Sequence, residues 1–116
     1  MRHRKKGKIL SREKGPREAL LRNLTAQVIL YEKVRTTEAR AKTVKPMVEK
    51  MITVGKEDNL HARRKLQAFF YTSHPVRKIL EELNKRYKDR KGGYTRIVRL
   101  GQRQGDGAKM VQIELV

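Results

Sequence analysis

The side chains that could do chemistry in this chain are mostly cations. Its 116 residues include 30 Lys and Arg against 12 Asp and Glu, a formal net charge of +18. The charge is also concentrated. Residues 1–17 hold eight basic residues and one acidic, and residues 85–109 hold nine and two, so each segment is net +7. The 67 residues between them are net only +5. A merely solvated surface mixes its signs more evenly. Like charges at this density repel one another in the free protein, a cost that is offset when a polyanion neutralises them. Nucleic acid adds a further gain, because every neutralised phosphate releases counterions. Charge clustering alone nominates Arg4, Lys5, Lys6 and Lys8 in the first segment and Arg99 in the second as phosphate contacts.

The alternatives to phosphate binding are thin. His3, His61 and His74 stand apart, and none has a second ligand at metal spacing. No cysteine is present, so disulfides and Cys-based zinc sites are excluded. Gly101, Gly105 and Gly107 resemble a phosphate loop only superficially. They lie between two β-prone runs, without the strand-to-helix setting or the Lys-Ser/Thr pair a nucleotide loop uses. A metal-dependent nuclease needs clustered carboxylates, and residues 85–109 offer only Asp89 and Asp106, the latter in a Gly-Asp-Gly turn. No catalytic residues, metal site, cofactor or small-molecule substrate is expected. Tyr94 could stack on a base, but one tyrosine is no stacking platform, so the signal is for phosphates and shape.

The elements that must position these cations follow from periodicity. Residues 1–14 lack an apolar period and read as a basic extended arm, with residues 15–116 as one domain. Gly15-Pro16 suits a helix start, and Leu20, Leu21, Leu24, Val28 and Tyr31 follow at helical spacing. Arg17 and Arg22 near that start oppose the helix dipole, which suggests a nearby anion. Val34–Thr37 is β-prone, and Thr36 or Thr37 can cap the next helix. That helix carries Ala41, Val44, Val48, Met51 and Ile52, with Pro46 predicting a kink or a fresh start, and Gly55 its end. Asp58 or Asn59 caps a third helix with Leu60, Arg63, Leu66, Phe69 and Phe70 along it. A fourth runs from Ser73-His74-Pro75 through Val76, Ile79, Leu80, Leu83 and Tyr87.

The chain closes in a long-looped hairpin over residues 92–116. In its second strand Val111, Ile113 and Leu115 alternate with Met110, Gln112 and Glu114. In its first strand Val98 and Leu100 oppose Ile97, leaving the buried face open. The expected architecture is α+β and two-layered, in the order α-β-α-α-α-β-β. A small three-stranded mixed sheet has helices packed on one face, with strand 34–37 at its edge. No run reaches membrane-span length and no signal-peptide apolar stretch follows the N-terminus, so a cytoplasmic setting without membrane contact is expected.

Several blocks match a known family in order and spacing. They are Met1-Arg2-His3, Leu10-Ser11-Arg12, Arg22-Asn23-Leu24, Thr36-Thr37, Ala41-Lys42, Ile52-Thr53, Gly92-Gly93-Tyr94-Thr95-Arg96-Ile97, Arg103, Gly105-Asp106 and Ile113-Glu114-Leu115-Val116. With them the chain resembles the bacterial large-subunit ribosomal protein seventeen (L series) family end to end, least so over Glu57–Lys91. The resemblance implies an α+β fold without enzymatic activity. It also implies a structural role in the 50S subunit, on 23S ribosomal RNA and beside neighbouring ribosomal proteins near the exit tunnel. Carried over by position, it makes Arg2, His3, Arg12, Arg96 and Arg103 RNA contacts. A DNA-binding architectural or regulatory protein is the competing reading; the absence of an evident base-reading recognition helix speaks against it.

Overall fold

The computed structural model describes Leu10 and residues 13–116. The order of elements is α1 (Lys14–Tyr31), β1 (Lys33–Thr37), α2 (Glu38–Gly55), α3 (Leu60–Phe69), a composite fourth helix α4, then β2 (Thr95–Gln102) and β3 (Lys109–Leu115). Helix α4 opens as Ser73–Lys78, passes through a π-helical stretch Ile79–Leu83 and closes at Asn84–Arg86. The protein is α+β, with four helices and a three-stranded sheet among the described residues.

The sheet has the order β1-β3-β2, and both pairings are antiparallel, which corrects the expectation of a mixed sheet. The reason lies in the chain ends of the strands. β1 starts where β3 finishes, with the Leu115 amide donating to the Glu32 carbonyl at 2.9 Å, so the two strands run in opposite directions. Val34, Ile113 and Ile97 then fall in one row across all three strands. Val111, Ile113 and Leu115 are buried against the helices, as their alternation predicts. Ile97 joins them half-buried, while Val98 and Leu100 are exposed at 39% and 46%. The helices therefore cover one face of β2, and the face bearing Val98 is open. Between Arg99 and Gly101 the register shifts, making Leu100 the extra residue of a bulge. Gly101 takes φ +107 there, a conformation side-chain-bearing residues rarely adopt.

The helices depart from the periodic reading at several points. α1 begins at Lys14, so Pro16 occupies the third helical position, where its missing N–H costs no helical bond. Its buried positions are Leu21, Leu24, Thr25, Val28 and Ile29, whereas Tyr31 is 71% exposed. The helix ends at Glu32, in the left-handed region at φ 64, which turns the chain into β1. α2 continues through Pro46 from a cap in which Thr37 Oγ1 accepts the Arg40 amide at 3.5 Å. α3 is capped by Asn59, whose Oδ1 accepts from the Ala62 amide at 2.8 Å. It buries Ala62 and Leu66 rather than Leu60, which is exposed. The α4 stripe of Val76, Ile79, Leu80 and Leu83, with Tyr87, is buried as expected.

One close approach sets the α2–α4 crossing. A Cβ built on Gly55 would overlap Ile79 Cγ2. Ile79 is itself fully buried at the first π-helical position. The glycine thus admits the neighbouring helix rather than merely ending its own. A second lock holds the hairpin to α2. Glu49 accepts from the Gly93 amide at 3.0 Å and from the Thr95 hydroxyl at 2.8 Å. Tyr94 beside it is 1% exposed, its ring 5.0 Å from that of Tyr87, and its hydroxyl donates to the Arg90 carbonyl at 3.1 Å. Tyr94 is a core residue, which corrects its reading as a base-stacking candidate.

Candidate nucleic-acid interface

The hairpin distributes its arginines over three places. Arg96 sits on the open sheet face, in register with Glu114 of β3 and Lys33 of β1. Its Nε donates to Glu114 Oε1 at 2.9 Å. The arginine side chain stays 61% exposed while the carboxylate is 9% exposed, so the cation is presented and the anion covered. The Glu114 carboxyl is held below its ordinary range, first by this hydrogen bond and then by the charges of Arg96 and Lys33, with Gln112 adding a further hydrogen bond.

Arg99 pairs with Val111 and so projects from the other side of the sheet. It lies at the N-terminal end of α2, where Arg99, Lys109 and Lys42 surround Glu38. Lys42 approaches Glu38 to 2.7 Å and, with the other two, lowers its pKa. Three cations against one carboxylate leave this end of the sheet basic as well. Arg103 is in the hairpin loop, where its Nε donates to Asp106 Oδ1 at 3.1 Å and its Nη2 donates to Asp106 Oδ2. Asp106 also accepts from the Ala108 amide, and these bonds bring its pKa to about 2. The turn-forming role expected of Asp106 is therefore combined with an ion pair.

The α1 arginines serve a different end. Arg22 is half-buried, with its guanidinium 5.4 Å from the Phe69 ring centre and 5.8 Å from that of Tyr71. Its Nη1 donates to the Ala68 carbonyl at 3.3 Å. This arginine ties α1 to the end of α3, which assigns it packing as well as charge. Arg17 is half-buried on the first turns of the same helix. Arg2, His3, Arg4, Lys5, Lys6, Lys8 and Arg12 lie outside the described residues.

Charged residues that the sequence reading left unassigned complete the picture. Lys33 and Arg35 are exposed on β1 and in register with Glu114 and Gln112, so they share the open face with Arg96. Their spacing of two in a strand was the available signal. Arg86, inside the second basic segment, is committed to the fold. It donates to Glu32 Oε2 at 3.2 Å and Glu82 Oε1 at 2.9 Å, while Lys78 reaches Glu32 at 2.9 Å and the Leu30 carbonyl at 3.0 Å. The Arg86 and Lys78 hydrogen bonds hold the Glu32 carboxyl at about 2. No group of His, Asp or Glu suited to a metal ion is found among the described residues.

A scaffold that turns cations outward on both sides of a small sheet suits a polyanion, and known proteins share its sequence. The family model described as ribosomal protein L17 matches residues 20–116. The large ribosomal subunit protein bL17 of Dehalococcoides mccartyi is 48% identical over 116 residues, all of this chain and 99% of that protein. The protein of the same name from Carboxydothermus hydrogenoformans is 50% identical over 107 residues, 92% of this chain and 96% of that protein. In Solibacter usitatus the identity is 49% over 116 residues, 77% of that protein. Likeness at this level over the whole described fold means that the chain belongs to the ribosomal protein L17 family.

Proposed function

We propose that this protein is a structural, non-enzymatic constituent of the cytoplasmic large ribosomal subunit that binds 23S ribosomal RNA. The relatives are named as large-subunit proteins, and that role comes to this chain through family membership. The observation that carries RNA binding is the +18 charge, arranged so that Arg96, Arg99 and Arg103 are presented on a rigid hairpin locked to α2 by Glu49. The basic segment ahead of α1 acts as a second grip whose arginines and lysines contact RNA phosphates, and α1 fixes where that segment joins the domain. Neighbouring ribosomal proteins near the exit tunnel complete the surroundings.

The test is a binding competition at fixed salt between a large-subunit ribosomal RNA transcript and a DNA duplex of equal phosphate content. Tighter binding to the RNA supports the reading. Equal or tighter binding to DNA overturns it in favour of an architectural DNA-binding role. Affinity should fall steeply with salt, with a log–log slope of roughly −0.7 to −0.9 per phosphate contact. Deleting residues 1–12 should flatten that slope; an unchanged slope would mean that the arm makes no phosphate contacts.

A further inference from the structure

The open face of the sheet holds an arrangement that the charge count does not explain. Three cations, Lys33, Arg35 and Arg96, share it with a single carboxylate, Glu114, which stands between Lys33 and Arg96 in one cross-strand row. A carboxylate in the middle of a polyanion-binding face should weaken binding by simple Coulomb repulsion. Its geometry points the other way. Glu114 takes the Nε of Arg96 and none of its Nη donors. A guanidinium has five N–H donors in a fixed plane, so this one bond fixes the plane and leaves the Nη edge free for bidentate recognition of a phosphate. Arg103 differs: Asp106 takes both its Nε and Nη2, so the side edge of that guanidinium is already filled within its own loop.

We propose that the open face of the sheet is a docking surface for RNA backbone phosphates. On it Lys33 and Arg35 act together with Arg96, and Glu114 is a positioning residue that holds the Nη edge of Arg96 outward. The inference rests on the RNA-binding reading. Charge complementarity selects the occupant, since β1, β2 and β3 carry no acidic residue besides Glu114. Two strand spacings separate Lys33 from Arg96, about 10 Å, and two residues separate Lys33 from Arg35, about 7 Å, a footprint for a few adjacent phosphates. Val98 lies on the same face and Leu100 in the adjoining bulge, both part-exposed, where they can press on ribose. A second copy is a poor fit, because it would bring two net-positive faces together.

The test is a double-mutant cycle on binding of the full chain to large-subunit ribosomal RNA, with urea unfolding of each variant as the folding control. Arg96→Ala should weaken binding about tenfold or more, the size of a charge-assisted contact, and Arg35→Ala and Lys33→Ala should each weaken it less. Glu114→Ala should also weaken binding several-fold, although it removes a negative charge. Glu114→Gln, which keeps an acceptor for Nε, should bind at least as well as the unmodified chain. In the Arg96→Ala background, Glu114→Ala should cost nothing further. Tighter binding by Glu114→Ala would overturn the positioning role while leaving the surface standing. Unchanged binding by folded Arg96→Ala and Arg35→Ala would overturn the surface itself, whereas no preference for RNA in any form would fault the underlying reading. Displacement of RNA by polyglutamate at equal charge would assign the face to an acidic protein segment instead.

Discussion

At the scale of single residues, a cation's partner decides its use. Arg86 and Arg22 belong to the basic inventory, yet one is bound to Glu32 and Glu82 and the other is laid over Phe69 and Tyr71. Glu32 gathers two cations at the point where α1 turns into β1. Its folded pKa of about 2 lies below its ordinary value of 4.5, so its contribution to stability is fully present above about 4.5 and is lost as pH falls toward about 2. A urea midpoint followed from pH 6 to pH 2.5 should decline across that window, and Glu32→Gln should lower the midpoint at pH 6 while flattening the decline. An equal decline in the variant would place the acid sensitivity elsewhere. Arg22→Ala should lower stability by about 1 kcal/mol through its lost aromatic contacts, with a smaller effect on RNA affinity than Arg96→Ala. Periodicity alone could have separated Arg96 from Arg99, because residues three apart in a strand face opposite ways. Lys33 precedes the β-prone run Val34–Thr37, so propensity alone does not place it on β1.

Among the elements, the strongly amphipathic ones were legible and the points of contact between them were not. The alternation of β3 and the stripe of α4 appear as read, since each is dictated by a period that burial enforces. The strand direction in the sheet was not legible, because it depends on the Glu32–Leu115 contact across 83 residues rather than on any local pattern. Tyr31 and Leu60 fit a helical stripe in sequence but are left exposed, at 71% and 61%. Gly55 looked like a helix stop, and its larger role is to admit Ile79. Gly55→Ala should therefore destabilise the fold by about 1–3 kcal/mol through overpacking, in spite of alanine's better helix propensity. Chemical denaturation would check this; a gain in stability would show that α4 shifts aside without cost.

Over the whole molecule, the helical layer buries the apolar residues of one sheet face, and the charge is left on the other face, the hairpin loop and the α2 end of the sheet. Free edges at β1 and β2 carry Lys33, Arg35, Arg96 and Arg99, and positive charge on an edge discourages strand addition by another copy. The site as a whole was legible as chemistry, cations for phosphates, and its layout on two faces needed the register. The family resemblance found in the Gly92–Ile97 block holds across residues 20–116. That block owes its recognisability to structure: Gly93 and Thr95 bind Glu49, and Tyr94 fills the core. Membership of the large subunit is tested by sedimenting a lysate containing the tagged chain through a sucrose gradient at low magnesium, where the subunits separate. The tag should run with the large subunit and leave it only at high salt. Sedimentation with the nucleoid, or at the top of the gradient at low salt, would contradict the account.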